Sequence, residues 1–99
     1  MNWLHDLSCF FGGIFLANAI PHSVSGMMGR PFQSPFAHPR GQGLSSSSVN
    51  VIWGFVNFVA AYLLLVRVGH IDIYDAQSMM FLGLGALLIS LFAAPPARA

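Results

Sequence analysis

The sequence predicts an all-α integral membrane protein, a three-helix bundle with a long structured loop rich in proline and phenylalanine between helices 1 and 2. Three observations lead there. Of 99 residues, 56% are hydrophobic and only 7% are charged, against roughly a quarter charged in soluble domains. The apolar residues gather in three runs, about 3–20, 49–68 and 76–94. Four of the six prolines fall between the first two runs. So small a chain has much surface for its volume. With so few charges it cannot cover that surface with solvated groups, and lipid as the solvent removes the contradiction. Residues 1–99 therefore read as one membrane domain.

Each run is close to the ~20 residues that cross ~30 Å of hydrocarbon at 1.5 Å per residue. Backbone groups in lipid must bond within the segment, which favours helices. The runs lack the alternation of barrel strands and are too long for them. In the first, Asn2 is placed to cap the helix, Asp6 lies near its positive end, and Pro21 stands where it should stop. A cleavable leader is the rival reading, since Ala17-Asn18-Ala19 resembles a cleavage site. The stretch before it has no Lys or Arg and carries Asp6, so retention is expected. Ser45 to Ser48 offer N-caps to the second helix, and Arg67 and Gly69 suit its end. Asp72 and Asp75 precede the third helix, and Pro95-Pro96 closes it.

The connection 21–48 is long for a bundle of this size. Pro31-Phe32, Pro35-Phe36 and Pro39-Arg40 recur every four residues, which forbids a regular helix. Phe32, Phe36, Met27 and Met28 are too apolar for a free linker. The segment reads as a loop lying on the bundle or in the interface, with Arg30, Phe32, Phe36 and Arg40 as anchors.

Charge sets an expected orientation. With three spans, the long loop and the C-terminus share one side and carry Arg30, Arg40 and Arg98. The other side has Arg67 alone. The arginine excess places the long loop and C-terminus in the cytoplasm and the N-terminus outside.

Each run also carries a stripe of small or polar residues. These are Cys9, Gly13 and Ala17; Asn50, Gly54, Asn57 and Ala61; and Gly83, Ala86, Ser90 and Ala94. Small residues let helix backbones approach in lipid, and polar ones bond across the contact. Trp3 and Tyr74 suit an interfacial belt, while Trp53 and Tyr62 reach an interface or a helix contact.

Asn18, His22, Asn50 and Asn57 form the candidate polar or ligand site. They can coordinate an ion or polar solute, or simply bond helix to helix. His22, Arg30, His38 and Arg40 offer contacts to a lipid phosphate, or plain anchorage at the headgroups. On the other side, His5, Asp6, His70, Asp72 and Asp75 should gather. Imidazole and carboxylate together can bind a divalent ion, though this spacing matches no ligand motif and helix capping explains it as well. The single Cys9 excludes a disulfide or thiolate cluster within one chain. No nucleophile elbow, P-loop or dinucleotide fingerprint occurs. No cofactor is expected, and no histidine lies deep enough in a span to hold haem. The absence of lysine and near-zero net charge argue against a nucleic-acid partner.

The runs Asn18-Ala19-Ile20-Pro21-His22 and Gly29-Arg30-Pro31-Phe32-Gln33-Ser34-Pro35-Phe36-Ala37 are distinctive. With Gly43-Leu44-Ser45-Ser46, Val49-Asn50-Val51-Ile52-Trp53-Gly54 and Asn57, the first two spans and their loop resemble an uncharacterised group of small bacterial multi-span inner-membrane proteins. Ser23 departs from the group's pattern, which has an apolar or aromatic residue after the histidine. The resemblance implies a bacterial inner membrane and no particular activity. The expected partners are the lipid bilayer and either a second copy of the chain or a larger membrane complex. The expected role is accessory and non-enzymatic; the alternative is an oligomeric transporter or channel for a small solute, proton or metal ion.

Overall fold

A computed structural model describes residues 2–30, 32–36 and 43–94. The element order is α1 (Trp3–Met27), β1 (Phe32–Gln33), β2 (Leu44–Ser45), α2 (Ser47–Tyr62, continued by a π-helical segment Leu63–Val68) and α3 (Ala76–Ala93). All three helices are long and apolar enough to cross a membrane.

Asn2 caps α1, its side-chain oxygen accepting from the amides of Leu4 (3.1 Å) and His5 (3.3 Å). The helix does not stop at Pro21. It runs six residues further, so the connection begins at Met28 and the segment 21–27 belongs to the helix. Proline removes one amide bond, a loss that packing can outweigh. The extra turns set His22 against Asn50 on α2 (2.7 Å). The real stop is Gly29, whose φ of +72° suits a residue without Cβ. Around it the Arg30 amide donates to Ser25 O (2.9 Å) and the Gly29 amide to Gly26 O (3.0 Å), the paired bonds of a Schellman motif.

Within the connection, β1 and β2 pair antiparallel, Phe32 opposite Ser45 and Gln33 opposite Leu44. The fold is thus helical with one minimal sheet added. Ser46 caps α2 through the Val49 amide (3.3 Å). The π-helical end closes on Gly69, whose amide donates to Leu64 O (2.9 Å). A Cβ on Gly69 would come within 2.8 Å of Leu64 O, so glycine is needed there. The left-handed turn then falls on His70, at φ 47°. Asp75 caps α3.

Helix α1 is central. It packs against α2 on one side and α3 on the other, while α2 and α3 scarcely touch. Toward α2, Asn50, Gly54, Asn57 and Ala61 are all buried, one continuous face of that helix. A Cβ on Gly54 would meet Ser23 and lie 3.2 Å from Ala19 O. Toward α3, Gly13 lies against the Leu82 backbone and Gly85 against the Phe10 backbone. The expected α3 stripe is therefore displaced. Gly83 and Ser90 are exposed, and the residues that face α1 are Ser78 and Gly85.

Candidate functional site

Two polar clusters hold the helices together, one at each end of α1. At its C-terminal end, Asn50 is fully buried and works as a hub. Its Nδ2 donates to three carbonyl oxygens, Phe32 O (3.0 Å), Ser46 O (3.1 Å) and Ser45 O (3.2 Å). Carbonyls only accept, so these bonds fix the amide's orientation and leave Oδ1 facing His22 Nδ1 at 2.7 Å. Nδ1 must then carry the proton and donate. In the neutral ring Nε2 becomes an acceptor, and no described residue bonds to it.

His22 is 6% exposed. Phe32 and Trp53 meet its ring edge to face, with centroids 5.3 and 6.4 Å away, and Phe36 meets Trp53 in the same way at 5.2 Å. One turn before it, Asn18 Nδ2 donates to Asn57 Oδ1 (3.1 Å), while Asn57 Nδ2 donates to Trp53 O (2.8 Å). Ser34, also buried, joins Ser45 hydroxyl to hydroxyl (2.6 Å) and accepts from the Phe36 amide (3.1 Å). The four candidates Asn18, His22, Asn50 and Asn57 thus form two linked pairs between α1 and α2. Of the candidate anchors, Phe32 is half-buried, while Arg30 and Phe36 are exposed. Arg40, like His38, lies outside the described residues.

A cavity of about 810 Å³ opens beside this cluster. Asn18 and His22 of α1, Phe32 and Ser34 of the connection, Trp53 of α2 and Ser90 of α3 all line it. Ser34, Trp53 and Ser90 were not among the residues singled out as a site. Trp53 at i+3 from Asn50 carries a helical-face signal, and Ser90 belongs to the small-residue stripe of the third run; nothing local marks Ser34.

The cluster at the other end is closed. His5 Nδ1 donates to Gly69 O (2.6 Å), Nε2 meets Ser78 Oγ (2.7 Å), and Cys9 Sγ lies 3.6 Å from Nε2. Ser78 gives its one hydroxyl proton to Asp75 Oδ2 (2.7 Å). Its oxygen is then an acceptor toward His5, and both ring nitrogens have a partner. Asp6 accepts from Gln77 Nε2 through both oxygens (3.0 and 3.1 Å). The Ser78 hydroxyl bond, followed by the Ser78 amide, holds the Asp75 carboxyl below the usual carboxylate range. His70 and Asp72 stand apart; Asp72 accepts from the Tyr74 amide (2.9 Å) in a local turn. The structure therefore does not bring His5, Asp6, His70 and Asp72 into one cluster. Among the described residues no three His, Cys, Asp or Glu side chains come together as metal ligands.

Neither a family model, nor a curated protein, nor a solved structure matches the chain.

Proposed function

We propose that this chain is a multi-pass membrane protein of a bacterial-type inner membrane, acting as a non-enzymatic accessory subunit that packs against itself or a larger membrane complex. The observation that carries the reading is the division of α3. Only Ser78 and Gly85 of that helix are buried, and just 11% of its most apolar window is covered. Leu84, Leu87, Leu88, Leu91 and Phe92 are all exposed. Lipid and neighbouring spans are the partners for such a surface. The polar groups within the helices are used up mainly in joining α1 to α2 and α3, which favours packing over a conduction path. Cys9 touches His5, yet it is 0% exposed, so no substrate reaches the thiol.

The connection between α1 and α2 belongs to this reading as a structured cover over the cytoplasmic ends of the helices. Its warrant is the docking of Phe32 on His22 and of Phe36 on Trp53. The likeness to small bacterial inner-membrane proteins and the arginine distribution support a cytoplasmic C-terminus and an external N-terminus. Mild solubilisation from native membranes, followed by cross-linking and sizing, tests the assignment. A discrete species larger than one chain is expected. A monodisperse monomer, or solute flux in reconstituted vesicles that Asn57→Leu abolishes, overturns it.

A further inference from the structure

We propose that the cavity beside His22 binds a small neutral amphiphile that presents a hydroxyl donor from an apolar body. The site goes beyond an accessory role and rests chiefly on α1, α2 and the connection, sharing only Phe92 with the α3 surface named above.

The chemistry of the lining decides the class. Asn50 is locked by three carbonyls, so it holds the His22 ring with Nδ1 as the donor, and in the neutral ring Nε2 is a lone-pair acceptor. His22 is nine-tenths buried, and among the described residues Nε2 has no partner. One turn away, Asn18 also lines the cavity; one Nδ2 proton goes to Asn57, leaving its Oδ1 as an acceptor and its second Nδ2 proton as a donor. Across the cavity, Ser90 gives its proton to Ala86 O (2.7 Å), so its oxygen too can only accept from a further partner. His22, Asn18 and Ser90 thus bring acceptors to a lining that also holds the Gln33 amide and the Trp53 indole N–H among apolar and aromatic groups. A hydroxyl, which donates and accepts, suits such a lining.

Other ligand classes fit less well. Among the described residues the lining holds no Asp or Glu, so a buried ammonium would lack a counter-charge there. Among the described residues it holds no Lys or Arg for an anion. One imidazole is too few nitrogen ligands for a metal site. An alcohol or phenol satisfies the acceptors without a net charge. The route in follows from the packing. Trp53 of α2 and the Ile89–Ala93 stretch of α3 both line the cavity, and these two helices scarcely touch, which leaves a way in between them.

Trp53 is a reporter at the site itself. Trp3→Phe leaves it as the sole tryptophan, since the chain has two. In lipid nanodiscs, 4-bromophenol should quench Trp53 saturably as its mole fraction in the lipid rises. 4-Bromoanisole, the same ring with the donor methylated, should bind about tenfold more weakly. His22→Phe should erase that preference, so that phenol and ether quench alike. Should His22→Phe fail to fold, Ala17→Phe, which narrows the cavity and leaves both polar pairs intact, should weaken saturable quenching by the phenol. Quenching that stays linear for both compounds overturns the proposal. So does saturation without preference for the phenol, or with no response to Ala17→Phe.

Discussion

The two ends of α1 each carry a histidine that fastens the helix to a neighbour, and the two are finished differently. His5 has both ring nitrogens engaged, by Gly69 O and Ser78 Oγ, in a chain of bonds that ends on Asp75. His22 has one nitrogen held by Asn50 and the other without a described partner, beside a cavity. Burial does not distinguish them in the expected direction, because the more buried ring is the one with spare capacity. A saturated histidine is a fastening. A buried histidine whose tautomer is fixed and whose second nitrogen is open is a fastening that can also recognise something.

The strongest way to break this comparison is to disturb the seam each histidine sits on. Gly85→Leu drives a side chain into the Phe10 backbone, where even a Cβ does not fit. It should cost about 3 kcal/mol or more and separate α3 from α1. Gly83→Leu, two residues away, meets nothing within 4 Å and should be near neutral. Thermal melts of both variants in detergent check the pair.

Next in size is Asn50→Leu. It removes the bond to His22 and takes a donor from the carbonyls of Phe32 and Ser45, while Ser46 O keeps the backbone amide of residue 50. A loss of about 2–3 kcal/mol is expected in a denaturant titration. Asn57→Leu removes fewer bonds. A double-mutant cycle between Asn18 and Asn57 should return a coupling near 0.6 kcal/mol, typical of interhelical bonds in a membrane. Replacing Phe32 and Phe36 with Ser removes two edge-to-face contacts and should lower the melting temperature, with about 0.5–1.5 kcal/mol per aromatic pair. An unchanged melt would leave the connection without a structural role.

The smallest effect belongs to Asp75. Its carboxyl titrates below the usual range in the folded chain, because the charged form accepts from Ser78. Its stabilisation is therefore present above the ordinary carboxylate pKa and is lost as pH falls through the lowered value. Asp75→Asn should remove a small part of the acid sensitivity of the melt, and nothing near neutral pH beyond the loss of the cap.

How far the sequence could be read differs between the same two seams. On α2, polar and small residues stand out from an otherwise bulky apolar helix, so Asn50, Gly54, Asn57 and Ala61 name one buried face. On α3, apolar residues surround the helix evenly. Two glycines two residues apart, Gly83 and Gly85, point to different sides. Only the Phe10 backbone decides which of them is the contact. Pro21 misleads for a similar reason. Its local preference is to end a helix, but the gain from seating His22 and Gly26 against α2 outweighs one missing bond, and the stop passes to Gly29. Asn18, His22, Asn50 and Asn57 were visible as polar residues in an apolar setting. Their pairing was not, because it depends on the register of α1 against α2. The cavity beyond them is out of reach, since Ser34 carries no local mark and Ser90 reads as part of a stripe expected to face another helix.

The proposed orientation puts the His5 end and the His22 end on opposite faces of a membrane. Single cysteines report on it directly. In a Cys9→Ser background, Tyr74→Cys marks the His5 end at a side chain 91% exposed, and Leu44→Cys marks the His22 end at one 68% exposed. An impermeant maleimide applied to intact spheroplasts should label Tyr74→Cys at once and Leu44→Cys only after permeabilisation. Labelling of both positions from the same face would contradict the account.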